Sequence, residues 1–90
     1  MAAKSIYSES YERFLTLLIE ARKNAGLTQQ QLADLLKRPQ SYVSKYERGE
    51  RRLDVIEFLS ITKILNVDPV SILQKLLTAS RRPNTQKGGV

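Results

Sequence analysis

The 90-residue sequence contains no cysteine and no histidine. That removes disulfides, the usual zinc ligand sets, and His-dependent acid–base or triad chemistry. Glycine is scarce, with four residues in all. Two lie near the C-terminus and two fall where helices are expected to end, so no glycine-rich loop is available to cradle a phosphate. No apolar run approaches the length of a membrane span, and the N-terminus lacks the basic-then-apolar pattern of a secretory signal. These absences predict a soluble, intracellular protein with no membrane partner and no cofactor, and they argue against an enzyme.

What the chain does have is positive charge in one place. Its formal net charge is +6, but residues 1–36 are neutral overall. Residues 37–52 carry six cations, Lys37, Arg38, Lys45, Arg48, Arg51 and Arg52, against Glu47 and Glu50 alone. The stretch 53–78 is slightly acidic, and Arg81, Arg82 and Lys87 make the last twelve residues basic. A solvated surface scatters its charges, whereas a polyanion-binding face collects them. With 41% hydrophobic residues, the chain can build one small core, marginal in size unless helices are efficient or the protein oligomerises.

The basic region overlaps two short amphipathic helices in close succession, LTQQQLADLLKRPQSYVSKYERG, residues 27–49. Thr28 followed by Gln31 is a capping-box start, and Leu32, Leu35 and Leu36 supply a buried side with Ala33. Lys37 to Gln40 separate the helices, and Pro39 stops the first from running on. That is helix-turn-helix spacing. On the second helix, at about 100° per residue, Gln40, Ser41, Ser44, Lys45 and Arg48 share one arc, opposite Val43 and Tyr46. Two readings of the arc stand open. It is either an ordinary solvated face or a surface whose amide, hydroxyl and cationic groups match base edges in a major groove. The surrounding cations favour the second.

The remainder reads as helical throughout, with no internal repeat and no strand-like alternation. Residues 1–7 form an extension without clear signal. A first helix is predicted over about 8–25, closed by Gly26 in a left-handed conformation, with Tyr11, Phe14, Leu15, Leu18, Arg22 and Ala25 at helical spacing. Helices over 29–36 and 40–48 follow. Asp54 and Glu57 open a fourth over 55–65, with Val55, Phe58, Leu59, Thr62 and Leu65 inward and Asn66 as terminator. Asp68 and Pro69 open a fifth over 69–78, with Val70, Leu73, Leu76 and Leu77 inward. Residues 79–90 are expected to be a disordered basic tail. The fold class is all-α: five short helices around one core, forming a single domain over 8–78.

Leu27-Thr28-Gln29, Leu32-Ala33, Val43-Ser44 and Glu47-Arg48-Gly49, with the later LDVIEFLSITKILNVDP, carry a family resemblance. The chain resembles the phage repressor/Cro-type (Xre-type) helix-turn-helix family over roughly residues 10–77. The resemblance implies a compact lambda-repressor-like domain that reads double-stranded DNA through helix 3. It implies that Gln29 touches a phosphate and braces Gln40, and that Gln40, Ser41 and Lys45 meet base edges. Tyr42 takes a position that meets backbone phosphate or a thymine methyl, although its helical angle is equally compatible with partial burial. Arg51 and Arg52 approach phosphates, and Thr28, Lys37, Arg38, Ser44 and Arg48 complete the expected backbone-facing set. Arg22 and Glu47 match a largely buried, structural salt bridge.

The turn departs from the family pattern. Where a Gly, an apolar residue and a Ser or Thr cap are usual, this chain has Lys37, Arg38 and Pro39. The end of helix 2 is therefore expected to close differently, and Arg38 to pack by its aliphatic stem or leave the core less filled. The functional expectation is a transcriptional regulator, a homodimer on a palindromic operator, in the cytoplasm of a prokaryote or encoded by a phage. The alternative is an antitoxin or other protein-interaction module on the same fold, with a toxin or the transcription machinery as partner and Leu17, Ile19 and Leu35 at the interface.

Overall fold

A computed structural model describes the backbone of residues 2–80 and the side chains of residues 9–78. Five helices follow one another: α1 Ala2–Asn24, α2 Gln29–Leu36, α3 Gln40–Glu47, α4 Val55–Leu65 and α5 Pro69–Ser80. There is no strand among the described residues, and the all-α five-helix expectation holds. Residues 81–90, the bulk of the expected disordered tail with its three cations, lie outside the described residues. Helix α1 packs on α3 and α5, α2 on α3 and α4, and α4 on α5. The short α2–α3 pair is thus held by α1 and α4, and α5 packs on those two.

Local chemistry explains the boundaries. The Thr28 hydroxyl accepts from the Gln31 N–H at 3.0 Å while the Gln31 amide oxygen accepts from the Thr28 N–H at 2.9 Å. Asp54 and Glu57 repeat this reciprocal arrangement at 2.8 and 3.0 Å. Each satisfies two N–H groups that helix geometry leaves without partners. The Asp68 carboxylate accepts from the Val70 N–H, with Pro69 at the first helical position. Gly26 and Asn66 close α1 and α4 at φ 76° and 60°. Helix α1 begins at Ala2, well before the Ser8–Ser10 start expected from capping residues. Ala2, Ala3 and Lys4 favour helix by intrinsic propensity alone, so those serines lie inside the helix.

The end of α2 corrects an expectation. Lys37 adopts the left-handed conformation, φ 61° and ψ 43°, and the Arg38 N–H reaches the Ala33 carbonyl at 3.0 Å. The helix therefore closes as α4 does at Asn66 and needs no glycine. A Cβ in that region costs about 1–2 kcal/mol. Lys37→Gly is accordingly expected to raise stability by about 1 kcal/mol, after the larger chain entropy of glycine in the unfolded state is subtracted. Chemical denaturation would show this as a higher midpoint; a lower midpoint would mean that the lysine stem contributes packing.

Leu18, Leu32, Ala33, Val43, Tyr46 and Ile61 are fully buried, with Leu15, Tyr42, Phe58, Leu65 and Ile72 nearly so. Several residues expected to face inward do not. Leu35, Val55, Leu59, Val70, Leu73 and Leu77 are exposed. The inner face of α4 is Phe58, Ile61, Thr62 and Leu65, and α5 turns Ile72 to the core. Both helices carry two apolar stripes, and a helical period does not say which of them meets the core.

Tyr46 is wholly inaccessible to solvent, and its hydroxyl has no hydrogen-bond partner among the described residues. Burial and the nearby Glu47 carboxylate push its pKa upward, so it stays a neutral phenol. An unpartnered buried hydroxyl costs about 1–3 kcal/mol. Tyr46→Phe keeps the ring and removes that cost. It is expected to stabilise the domain by about 1 kcal/mol in equilibrium unfolding; a clear loss of stability would reveal a partner for the hydroxyl.

Candidate nucleic-acid interface

Helix α3 has two sides, as its sequence requires. Val43 and Tyr46 are completely buried, whereas Ser41, Lys45 and Arg48 are exposed and Gln40 and Ser44 half-exposed. The exposed arc proposed for base reading therefore lies on the surface. Its flanks are the α2–α3 turn with Lys37, Arg38 and Pro39, and the loop after α3 with Arg51 and Arg52.

A chain of hydrogen bonds holds this helix from behind. Arg22, near the end of α1, grips Glu47 with two bonds, Nε to Oε2 at 2.7 Å and Nη2 to Oε1 at 3.1 Å. Its remaining Nη1 donates to the Leu27 carbonyl at 2.9 Å. The side chains are only 10% and 4% exposed, so the expected buried salt bridge is present. Glu47 Oε1 also accepts from Gln29 Nε2 at 2.8 Å, and Gln29 Oε1 accepts from Gln40 Nε2 at 2.7 Å. The polarity of this relay follows from charge. A carboxylate only accepts, so Gln29 must turn its NH2 toward Glu47 and its oxygen toward Gln40. Gln40 must then donate inward, which leaves its own oxygen and second N–H available outward. The bracing of Gln40 by Gln29 is thus present in the structure, and Glu47 orients both amides.

The cations around the arc have distinct surroundings. Arg48 donates to both Glu50 oxygens, at 2.9 and 3.0 Å, and to Ser44 Oγ at 2.6 Å. Glu50 is held below the ordinary carboxylate range by these Arg48 bonds. Arg51 pairs with Glu57 at 2.9 Å. The Arg38 and Arg51 guanidinium carbons lie 4.5 and 4.8 Å from the centre of the Tyr42 ring, and that of Arg52 lies 4.5 Å from the Tyr11 ring. Lys37 and Lys45 are exposed, with no ion pair among the described residues. Thr28 is exposed, but its hydroxyl is engaged in the cap of α2.

Two side chains take one of the alternatives left open for them. Tyr42 is 8% exposed, so of its two proposed situations the structure takes the buried one. Burial, with the neighbouring Glu57 charge, raises its pKa. Arg38 does not plug the core; it is exposed and lies against Tyr42. Sequence reasoning also overlooked Glu50 and Tyr11 as neighbours of these cations, and saw Glu57 only as a cap. Glu50 stands two residues from Arg48, a spacing with no structural meaning once a helix has ended. Arg51–Glu57 and Arg52–Tyr11 depend on how the loop folds back.

Glu57 is drawn down to about 2 by Arg51 first and by the Asp54 N–H second. A depressed folded-state pKa stabilises the fold fully above the ordinary value of 4.5, and that contribution disappears as the pH falls toward about 2. Thermal melts of the parent and of Glu57→Gln, which retains the capping-box hydrogen bond, should therefore converge across that window. A gap of constant size would mean that the carboxylate charge is not its source.

Comparison with known proteins agrees with the geometry. A helix-turn-helix family model matches residues 18–72, from the middle of α1 into α5. An XRE-family like protein from Pseudomonas syringae pv. tomato str. DC3000 is 49% identical, with a TM-score of 0.82 over 89% of this chain and 98% of that one. No curated protein matches the chain. With its helices, turn and buried ion pair in place, the chain belongs to the Xre-type helix-turn-helix family.

Proposed function

We propose that this protein is a sequence-specific, double-stranded DNA-binding transcriptional regulator that places α3 in the major groove. The observation that carries this reading is the exposed arc of Gln40, Ser41 and Lys45, bordered at both ends by arginines and anchored behind by Glu47. Cations at the rim neutralise phosphates and supply salt-dependent affinity. Gln40, Ser41 and Lys45 discriminate bases, each good pairing contributing about 1–3 kcal/mol. Lys37, Arg38, Arg51 and Arg52 serve the backbone. Arg48 and Ser44 do so once Arg48 exchanges Glu50 for a phosphate, and Gln29 combines bracing with a backbone contact beside Thr28. No helix among the described residues is long and apolar enough to cross a membrane, and the proposed place of action is the cytoplasm of a prokaryote.

One helix reads only a few base pairs, so useful specificity calls for a homodimer on a two-fold operator, with half-sites roughly 34 Å apart. Val55, Ile56 and Leu59 of α4 and Val70, Leu73 and Leu77 of α5 are exposed apolar side chains that favour self-association. The rival reading, an antitoxin-like module, invoked Leu17, Ile19 and Leu35 as an interface. Of these only Leu35 is exposed, and Leu17 packs against the core, so the regulator reading is the better supported. Selection of bound sequences from a random duplex pool tests it. The expected result is a symmetric site with half-sites one helical turn apart; a pool that shows no enrichment would overturn it.

A further inference from the structure

We infer that Tyr42 and Tyr11 are positioning residues, two aromatic platforms that hold Arg38, Arg51 and Arg52 as a preformed phosphate clamp around the reading helix. This inference rests on the DNA-binding reading, and it replaces direct contact by Tyr42 with an indirect role. Tyr42 is too deeply buried to offer its ring to a ligand. Its ring instead meets two guanidinium groups, one from the turn before α3 and one from the loop after it, at 4.5 and 4.8 Å. The ring thereby ties together the two segments that flank α3. Tyr11 does the same for the far side of the loop. Arg52 lies 4.5 Å from its ring centre, and its hydroxyl accepts from the Leu53 N–H at 3.2 Å.

Geometry explains why such an arrangement suits phosphate. A cation over an aromatic face is attracted by the ring quadrupole, while all five guanidinium donors lie in the plane of the group, around its edge. Resting against a ring therefore leaves that edge open. Neither the Arg38 nor the Arg52 side chain has an ion pair or hydrogen bond to another described side chain. Arg51 is more constrained: it also pairs with Glu57 and donates to the Arg52 carbonyl, which fixes the loop that carries Arg52. An arginine already held in place loses less rotamer freedom when it meets a phosphate.

The bland alternative is that both tyrosines merely fill space. Substitution with leucine and with phenylalanine separates the two, because leucine preserves apolar bulk without a π face and phenylalanine preserves the face without the hydroxyl. Affinity for a random-sequence duplex is the readout, with Arg38→Gln introduced into each background. Tyr42→Leu is expected to weaken binding about three- to ten-fold, and Tyr42→Phe to restore most of it. Arg38→Gln should cost clearly less in the Tyr42→Leu background than in the parent. An equal cost in both backgrounds, or an equal defect for the leucine and phenylalanine variants, would overturn the proposal.

Tyr11→Leu with Arg52→Gln repeats the cycle at a half-buried ring, should Tyr42→Leu fail to fold. Arginine Nε–H resonances provide a readout without DNA: ring-shifted in the parent and the phenylalanine variants, unshifted in the leucine variants. Unshifted resonances in the parent would sink the platform. A parent protein that binds no duplex would instead defeat the DNA-binding reading, with the resonances still deciding whether the rings hold the arginines.

Discussion

Replacing Glu47 with alanine is expected to destabilise the domain by about 3–5 kcal/mol. The substitution leaves the Arg22 side chain, 9% exposed in the fold, without its carboxylate partner. Small domains have about 5–15 kcal/mol in total, so the variant should lie near the edge of folding and melt tens of degrees lower. Gln29 loses its acceptor at the same time, and with it the reason for its amide orientation. The double substitution Arg22→Met with Glu47→Leu separates these effects. Removing both charges avoids the stranded cation and should recover much of the stability. It should not recover sequence discrimination, because Gln40 is then no longer braced by an oriented Gln29. Urea unfolding at 25 °C, paired with operator and random-duplex affinities, would check both halves. A loss under about 1 kcal/mol for Glu47→Ala would contradict the role assigned to the pair.

The second large effect concerns recognition rather than folding. Lys45 is exposed on α3 and has no ion pair among the described residues. Lys45→Ala should reduce the preference for operator over random duplex by about 1–3 kcal/mol, which is roughly five- to 150-fold. Arg51→Ala should instead weaken binding to both duplexes by similar factors, because a phosphate contact carries no base information. Titrations of the three proteins against both duplexes at several salt concentrations make the distinction. An unchanged operator-to-random ratio for Lys45→Ala would move the reading face elsewhere.

Much of this architecture was legible from residue types because local rules decided it. Thr28 with Gln31 and Asp54 with Glu57 are reciprocal caps, and Asn66 and Gly26 are left-handed terminators, whatever the tertiary fold. Opposing Val43 and Tyr46 to Ser41 and Lys45 needed only the helical repeat. The Arg22–Glu47 pair came from family likeness, since nothing local links an arginine on α1 to a glutamate on α3. Errors arose where helices were apolar on two sides. Val70, Leu73 and Leu77 have as good a helical spacing as any core stripe, yet they face solvent while Ile72 faces the core. Only the packing of α5 on α1 and α4 selects between them. The surroundings of Arg48, Arg51 and Arg52 were illegible for a related reason, as each depends on the path of a loop without a regular repeat.

The inward anchoring of α3 has a practical consequence for redesign. Positions 43, 46 and 47 are committed to the scaffold, and Gln40 is tethered through Gln29. What remains interchangeable is a compact cassette at positions 41 and 45, both exposed, whose side chains can be randomised without touching the interior. On the proposed reading, a library confined to those two sites would explore new target sequences on an unchanged chassis, whereas one that included Glu47 would discard most of its members as unfolded.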